Sequence, residues 1–241
     1  MTAYHGGKQR FGKAIASCMK DYIGSDTQFL GYCEPFCGML GVYQHMLYLN
    51  LKSYLAGDIN EAVINMWQAS QNGWIPKSTC SEDEFLDFKK RKCVSPESGF
   101  FGHQLSFGGK FLECYSPKYG KPADCSKQAI KVASIGNSAK DVKFNCDVYT
   151  QYSHLKGFVM YCDPPYENTQ HRWKFDHSEF VEWCIMMSKH NMVFVSGFTK
   201  PCQIVEIVFK SSLKPQTTNG NPVLGVEHLY LYPRGIYDAI M

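Results

Sequence analysis

The sequence has no run of apolar residues close to the roughly 20 that a membrane-spanning helix needs. The first residues also lack the charged and then apolar order of a secretory signal peptide. At 241 residues and 44% hydrophobic content, the chain can bury a full core as one large domain or as one domain with an inserted lobe. These features predict a soluble, intracellular protein.

Disulfide and metal-site signatures are missing as well. The 11 cysteines form no Cys-x-x-Cys pair, and an odd number without a signal peptide indicates reduced thiols. Cys80, Cys93, His103 and Cys114 fall in one region, but their separations match no common zinc finger. We therefore predict that the protein binds no metal and that cysteines inside strand-like runs are small buried hydrophobic residues.

The dinucleotide-binding pattern Gly-x-Gly-x-x-Gly is absent too, yet a related arrangement is present. Glu34-Pro35-Phe36-Cys37-Gly38 ends a strand-like run and continues through Gly41, within a stretch at 39–51 that we predict to be helical. A strand, a glycine turn and a helix in this order let the backbone approach a nucleoside-type ligand closely.

A second strand-like run ends at Asp58, about twenty residues after these glycines, where such folds place a carboxylate on ribose hydroxyls. Asp58 or Asn60 is also suited to cap a helix that begins near Glu61. The spacing leaves both roles open.

The most informative segment is Asp163-Pro164-Pro165-Tyr166, which follows the apolar run at 158–162. The prolines have no N–H and a fixed φ, so the turn is stiff and its carbonyls are available as acceptors. Asp163 and the Pro164 carbonyl suit the amino group of a heteroaromatic base, with the Tyr166 ring as a stacking face. Two such acceptors would favour the positive charge that develops when this nitrogen is alkylated. Taken alone, the tetrapeptide fits a rigid loop beside a helix cap equally well.

Five motifs in one order cover nearly the whole chain, and together they resemble the Dam-type, D12 class DNA adenine N6-methyltransferases. They are Tyr4-His5-Gly6-Gly7-Lys8, Glu34-Pro35-Phe36-Cys37-Gly38, Asp58-Ile59-Asn60, Phe144-Asn145-Cys146-Asp147 and Asp163-Pro164-Pro165-Tyr166.

The resemblance implies a Rossmann-like, S-adenosyl-L-methionine-dependent methyltransferase fold of the α/β class. It has a mixed seven-stranded sheet with an antiparallel C-terminal hairpin and an inserted target-recognition lobe. The implied reaction transfers the methyl group of S-adenosyl-L-methionine to an adenine flipped out of double-stranded DNA.

Site residues follow from the same likeness. Asp163, Pro164, Pro165 and Tyr166 would be catalytic, with Asp163 also near the cofactor. Tyr4 and Lys8 would contact the cofactor, Glu34 and the glycine turn would hold its methionine part, Asp58 its ribose, and Asp147 would lie near its adenine. The remaining implied cofactor-binding residues are Gly6, Gly7, Pro35, Phe36, Gly38, Gly41, Ile59 and Asn60.

Hydrophobic periodicity supports the α/β class independently. It predicts helices at 11–22, 39–51, 61–71, 82–92, 126–133 and 178–189. It predicts strands near residues 29, 55, 144 and 159, and at 193–198, 204–209 and 228–232.

Positive charge is concentrated in residues 77–143, which carry a net +4, whereas the rest of the chain carries −1. We predict that 77–143 is an inserted DNA target-recognition lobe and that 1–76 and 144–241 form the catalytic domain. Basic side chains in Lys89-Lys90-Arg91-Lys92 combine there with aromatic ones in Phe100-Phe101-Gly102 and Phe107-Gly108-Gly109-Lys110. This turn-rich combination suits phosphate contact and stacking. A solvated helix face followed by a small hydrophobic cluster is the alternative. The DNA-binding residues that we predict are Lys89, Lys90, Arg91, Lys92, Lys110 and Arg172.

Other functions remain open from the sequence. One is methyl transfer to another planar amine or amide, such as cytosine N4, an RNA adenine or a protein glutamine; another is a catalytically silent DNA-binding relative. With only four arginines and no Asn- and Arg-rich run near Phe107, a GATC recognition site is not indicated. The sequence also leaves open a companion restriction endonuclease that acts on the same site, and whether the protein works in a cytoplasm or wherever viral DNA resides.

Overall fold

The structure is a computed structural model that describes residue 4 and residues 6–24, 29–47, 49–116, 122–166, 174–203, 205–210, 216–218, 221–223 and 226–232. Arg172, one of the predicted DNA-binding residues, lies outside them. Within these ranges no helix is both long enough and apolar enough to cross a membrane.

The helices and strands alternate through most of the described chain. The α-helices are α1 (Gly12–Ile23), α2 (Glu61–Gln71), α3 (Glu82–Arg91), α4 (Pro96–Gln104), α5 (Ser126–Ser138) and α6 (His177–Ser188). The strands are β1 (Gly31–Glu34), β2 (Ser53–Gly57), β3 (Thr79–Cys80), β4 (Ala123–Asp124), β5 (Val142–Asn145), β6 (Phe158–Cys162), β7 (Met192–Gly197), β8 (Glu206–Lys210), β9 (Gln216–Thr218), β10 (Asn221–Val223) and β11 (His228–Tyr232). Short 3₁₀ helices span Tyr43–His45, Phe107–Gly109 and Tyr149–His154.

Seven strands form the central sheet in the order β5-β2-β1-β6-β7-β11-β8. The first five are parallel to one another, and β11 runs antiparallel to both β7 and β8. The predicted Rossmann-like, mixed seven-stranded sheet with an antiparallel C-terminal pair is therefore confirmed. All seven of its strands lie at or beside the positions that hydrophobic runs predict.

Helices cover the sheet on both faces, because successive strand residues point to opposite sides. On β6, Val159 and Tyr161 pack in the same hydrophobic cluster as α1, α2, α4 and α5. Met160 and Cys162 pack in a second cluster with α6. The parallel strands are buried on both faces for this reason, and they read in the sequence as continuous apolar runs.

Strand order reverses at β1. The next strand along the chain, β2, lies on one side of it, and β6 lies on the other. In open α/β sheets, ligands bind in the crevice outside the carboxyl ends of the strands at such a switch point. The fold therefore predicts a site where β1 and β6 end.

One predicted helix is wrong. The described residues of this stretch, 39–47 and 49–51, contain no α-helix, and among them only Tyr43–His45 form a short 3₁₀ turn. Leu40 and Asn50 have left-handed backbones, with φ of 52° and 53°, and an α-helix cannot run through such residues. The apolar spacing in this stretch arises from side chains of an irregular loop, including Leu40 and Tyr43, that fill the core.

Helix α4 is not predicted by the sequence. It contains two glycines and Pro96 at its first turn, and nearly all of it is buried, so no amphipathic period marks it. Phe100 and Phe101 are 0% and 1% exposed. They cannot stack on nucleic acid as the aromatic pattern suggests, and the alternative of a small hydrophobic cluster holds for them.

Part of the segment 77–143 is integrated with the sheet. Helices α4 and α5 both pack on α2, and β5 begins at Val142 and pairs with β2. The rest holds α3, the β3–β4 pair and the 3₁₀ turn at Phe107–Gly109. The division into a catalytic domain and an inserted lobe stays a prediction. Helix α5 and strand β5 pack with the central sheet and its helix α2.

Gly99 allows α4 to approach α2 closely, which gives a first prediction. A Cβ at this position would lie 2.0 Å from the carbonyl oxygen of Ala62. Gly99→Ala should therefore push the helices apart and lower the free energy of unfolding by about 2 kcal/mol, despite the better helix propensity of alanine. Urea denaturation measures this loss. Gly197→Ala is the control, because its Cβ would meet nothing closer than 3.5 Å; equal losses in the two variants would contradict the close contact.

Candidate active site

A cleft of about 600 Å³ lies at the carboxyl ends of β1, β2 and β6. Every residue that the sequence predicts for catalysis or cofactor binding lines it, so five separate motifs meet at one place. These residues are Tyr4, Gly6, Gly7, Lys8, Glu34, Pro35, Phe36, Gly38, Gly41, Asp58, Ile59, Asn60, Asp147, Asp163, Pro164, Pro165 and Tyr166.

The glycine turn, residues 34–41, forms one wall of the cleft. Gly38 has a φ of 44°, and a Cβ there would lie 2.9 Å from the Tyr4 ring. The carbonyl of Gly38 accepts a hydrogen bond from the Trp67 indole at 2.8 Å. A left-handed backbone pressed against an aromatic ring requires glycine at this position.

Asp58, which directly follows β2, connects that strand to the glycine turn through hydrogen bonds. Its carboxylate accepts hydrogen bonds from the backbone N–H of Gly38 at 3.0 Å and of Asn60 at 2.8 Å. The Tyr4 hydroxyl lies 3.4 Å from the same carboxylate. Helix α2 begins at Glu61 as predicted, but neither Asp58 nor Asn60 caps it with its side chain. Burial raises the pKa of Asp58, although these hydrogen bonds oppose the rise.

Lys8, Asp163, Tyr166 and Glu227 form a charge cluster beside the glycine turn, and the first three of them line the cleft. The Lys8 ammonium lies 2.6 and 2.7 Å from the two oxygens of Asp163 and 3.1 Å from Glu227 Oε1. The Tyr166 hydroxyl donates to Glu227 Oε1 at 2.7 Å and lies 3.2 Å from Asp163 Oδ1. The ammonium also sits 5.0 Å from the centre of the Tyr166 ring.

The protonation of this cluster follows from burial and charge. Burial raises the pKa of Asp163 to about 6, against the opposing effect of Lys8 and with a further rise from Glu227. Burial alone would lower the pKa of Lys8, but the two carboxylates outweigh it and the net pKa is raised. Asp163 is therefore an acceptor carboxylate at neutral pH, and it becomes protonated as the pH falls through about 6.

Glu34 places another carboxyl group beside the cleft. Its Oε1 accepts a hydrogen bond from the Tyr32 hydroxyl at 2.6 Å, and its side chain is 2% exposed. Burial raises its pKa well above the usual value, the Tyr32 hydrogen bond opposes this, and the charge of Asp163 adds to it. A positively charged ligand group beside Glu34 would lower this pKa and favour the ionised carboxylate.

Aromatic side chains pack on Phe36 of the glycine turn and form a further part of the cleft wall. The rings of Phe36 and Tyr149 stack with centroids 5.7 Å apart, and Phe175 lies 5.8 Å from Phe36 at a steep angle. All three line the cleft. Such a wall suits a planar apolar group.

Several functional candidates were missed by sequence reasoning. Glu227 lies just before the last strand and belongs to none of the five motifs, so no local signal marks it. His103 carries a signal that we interpreted only in terms of metal binding. Its ring lies 4.5 Å from that of Tyr4, its Nδ1 is 2.8 Å from the Gly109 carbonyl, and its Nε2 is 3.4 Å from the Asn60 amide nitrogen.

The predicted DNA-binding residues fall in two places. Lys89, Lys90 and Arg91 form the last turn of α3, and Lys92 follows it in a left-handed conformation. This end is exposed, although Arg91 pairs with Asp87 at 2.7 Å. Lys89 donates to the Glu113 carbonyl at 2.9 Å. Lys110 lines the cleft, as does Lys174, which we did not predict.

The described part of the chain contains neither a disulfide nor a cluster of potential metal ligands. All eleven cysteines lie in the described residues and none is in a disulfide. Within the described ranges no group of three His, Cys, Asp or Glu residues is arranged to hold a metal ion.

Residues 4–118 match the family model of the D12 class N6 adenine-specific DNA methyltransferases. The resemblance drawn from the sequence motifs is thereby confirmed over just under half of the chain. The match includes the glycine turn and Asp58 but ends before Asp147 and Asp163. It supports a methyltransferase and implies S-adenosyl-L-methionine as the methyl donor.

Solved structures share the general architecture at low similarity. A provisionally named methylase from Haemophilus influenzae has a TM-score of 0.42 and 10% identity, covering 92% of this chain and 99% of its own. The rRNA methyltransferase aviRa from Streptomyces viridochromogenes has a TM-score of 0.39 and 12% identity, covering 91% of this chain and 83% of its own. Scores this low support no further conclusion. None of the curated proteins compared with the chain matches it.

Removing the shared cation gives the second prediction. In Lys8→Met, Asp163 and Glu227 lose their common partner, so the pKa of Asp163 should rise above about 6. The folded state then binds a proton that the unfolded state does not, so its stability falls as the pH rises. We expect the variant to lose about 3 kcal/mol of unfolding free energy at pH 8 and clearly less at pH 5.

Urea denaturation of wild type and variant at the two pH values measures this difference. Lys131→Met is the control, because Lys131 contacts Gln9 rather than a carboxylate. Equal losses at both pH values for Lys8→Met would contradict the assigned charges.

Proposed function

We propose that the protein transfers the methyl group of S-adenosyl-L-methionine to N6 of an adenine flipped out of double-stranded DNA. The observation that carries the proposal is the position of Asp163. This carboxylate stands at the end of β6, at the switch point of the sheet, in a cleft that the glycine turn also lines. The family match over residues 4–118 supports the adenine N6 acceptor and DNA as the partner.

The residues of the cleft fit S-adenosyl-L-methionine. This molecule supplies an electrophilic methyl group on a positively charged sulfur. Buried carboxyl groups, foremost Glu34, suit its ammonium group, and Asp58 suits the ribose hydroxyls. Gly38 lets the Tyr4 ring pack closely on the turn, and the aromatic wall of Phe36, Tyr149 and Phe175 suits the adenine ring. Asp147, which also lines the cleft two residues before Tyr149, would contact that ring's polar edge.

The chain's own contribution to the reaction is orientation and charge. Asp163 and the carbonyl of Pro164 would accept the two hydrogens of the target amino group and so turn its lone pair toward the methyl group. Both acceptors also stabilise the positive charge that forms on this nitrogen. Lys8 keeps Asp163 ionised, and Tyr166, fixed by its hydroxyl on Glu227, presents a ring for the flipped base.

DNA would lie across the open side of the cleft. Lys110 and Lys174 line the cleft, and the exposed end of α3 carries Lys89, Lys90 and Lys92 beyond it. Contacts from these cations to phosphates would position the duplex without reading its sequence. Arg172, outside the described residues, remains a predicted contact.

Asp163 is tested by its amide and alanine variants, as the third prediction. Asp163→Asn and Asp163→Ala should lower methyl transfer at least a thousandfold, because the acceptor charge is lost, while binding of S-adenosyl-L-methionine changes much less. Labelled donor is incubated with duplex DNA, single-stranded DNA or RNA, and the modified nucleoside is identified by mass spectrometry. Asp141→Asn, an exposed turn residue, is the control.

Robust turnover by the Asp163 variants would remove that residue from the chemistry. A wild-type product other than N6-methyladenine in DNA would redirect the proposal to another planar amine.

The fourth prediction concerns the basic end of α3. Replacing Lys89, Lys90 and Lys92 together with alanine should weaken DNA binding and reduce the slope of log affinity against log salt by up to about 3, since each phosphate contact contributes about 0.9. Fluorescence anisotropy at several salt concentrations measures the slope. The control replaces Lys52, Lys156 and Lys189, three exposed lysines outside 77–143. An unchanged slope for the first variant would place α3 outside the interface.

A further inference from the structure

One imidazole ring touches two groups of cleft residues that come from distant parts of the chain. His103 lies near the end of α4, is 4% exposed and lines the cleft. Tyr4 and Asn60, which belong to the predicted cofactor-binding residues, contact the ring with their side chains. The Gly109 carbonyl and the Phe111 ring, from the segment predicted to bind DNA, contact it as well. His103 therefore joins the two groups.

The two ring nitrogens have different partners. Nδ1 lies 2.8 Å from the carbonyl oxygen of Gly109. Because a carbonyl oxygen can only accept, Nδ1 carries the hydrogen and donates it. In the neutral ring Nε2 is then an acceptor, and the side-chain amide nitrogen of Asn60 lies 3.4 Å from it as the donor. Since one nitrogen donates and the other accepts, the two contacts can be removed one at a time.

The contacts on the cofactor side lead to Asp58. The backbone N–H of Asn60 donates to the Asp58 carboxylate at 2.8 Å, and the Tyr4 hydroxyl lies 3.4 Å from it. The His103 ring packs against the Tyr4 ring with centroids 4.5 Å apart. His103 thus supports both neighbours of the carboxylate that suits the ribose hydroxyls.

The contacts on the other side hold the turn that follows α4. The backbone N–H of Leu112 donates to the Gly102 carbonyl at 2.8 Å, so the chain folds back over the end of the helix. Within this turn Gly109 has a left-handed backbone with a φ of 73°. Glycine is the most conformationally free residue, so the position of its carbonyl depends on what that carbonyl bonds. The bond from His103 fixes it directly before Lys110, which lines the cleft.

We propose that His103 is a positioning residue that couples cofactor and DNA in the cleft, so that binding of either one favours binding of the other. This inference rests on the proposed function. A cofactor that orders Tyr4 and Asn60 would fix the ring, and the fixed ring would hold the Gly109 carbonyl, and with it Lys110, for the duplex. By thermodynamic linkage, each ligand must strengthen the binding of the other by the same factor.

The wild-type protein provides the first test. Fluorescence anisotropy measures its affinity for a mixed-sequence DNA duplex, alone and with saturating S-adenosylhomocysteine, the demethylated product, which allows no turnover. We expect the product to tighten duplex binding about fivefold, and calorimetry should show that the duplex tightens product binding by the same factor. Equal duplex affinities with and without the product would overturn the inference.

Two substitutions separate the roles of the ring nitrogens. In His103→Asn the amide N–H replaces the Nδ1 donor, and in His103→Gln the amide oxygen replaces the Nε2 acceptor. Both variants lose the ring, so its packing on Tyr4 cancels when they are compared with each other. We expect His103→Asn to bind S-adenosylhomocysteine about fivefold more weakly than His103→Gln does, and to bind the duplex about fivefold more tightly. A change of this crossed kind is not produced by a general loss of structure.

His154→Asn and His154→Gln are the matched controls. The Nδ1 of His154 also lies close to a carbonyl oxygen, that of Gln151 at 2.9 Å, but this residue is exposed and does not line the cleft. Both controls should keep each affinity within twofold of wild type. If the two His103 variants bind each ligand alike, or differ in the opposite sense, His103 has a merely structural role and the inference is overturned, while the proposed function stands.

Asn60→Ala tests the coupling from its other end and leaves the imidazole in place. The Asn60 side chain does not cap α2, so its loss should not unfold that helix. We expect S-adenosylhomocysteine to tighten duplex binding less than twofold in this variant. Coupling as strong as in wild type would contradict a route through His103. A wild-type protein that binds neither cofactor nor duplex would overturn the proposed function together with this inference.

Discussion

The candidate site depends on one buried ammonium that holds two carboxylates. Lys8, Asp163 and Glu227 come from the start, the middle and the end of the described chain, and their contacts join three segments that share no strand. Removing any one of these charges from water is costly unless the others are present. The cluster therefore fixes the N-terminal segment over the sheet and the segment before β11 beside the catalytic turn, and the cleft takes its shape from both.

A second set of contacts holds the glycine turn in place beside the cleft. Asp58 accepts the N–H of Gly38 across the gap between the first two strands, and Tyr4 packs on that glycine from above. The His103 ring packs against that of Tyr4 at a tilt and lies near the Asn60 amide, so a helix from the basic segment borders the same space as the glycine turn. Acidic, aromatic and cationic side chains all line this cleft, among them Asp58, Asp163, Phe36, Tyr149, Lys8 and Lys110. A molecule with a cationic sulfur and a planar base matches this distribution.

Much of the fold could be predicted from the sequence because parallel strands buried on both faces read as apolar runs, and the motif residues lie where those runs end. The motifs also located the cleft, since residues at the carboxyl ends of neighbouring parallel strands must be close in space. The helix predicted at 39–51 failed because apolar spacing in a buried loop imitates a helix period, and the left-handed Leu40 is invisible in such a count. Helix α4 was not predicted for the converse reason. It is buried on nearly all sides, so its sequence shows no alternation of apolar and polar residues at the helical repeat. Glu227 was beyond reach because its partners lie 61 and 219 positions away in the chain.

The position of Glu227 directly before β11 has a consequence for the order of assembly. Strand β11 inserts between β7 and β8, so it must enter a sheet whose other strands have already been synthesised. On a ribosome, Lys8 and Asp163 are both available well before this insertion, as a neutral pair. Glu227 follows only with β11, so a nascent chain that has built most of the cleft still lacks the second carboxylate on Lys8 and the acceptor of the Tyr166 hydroxyl.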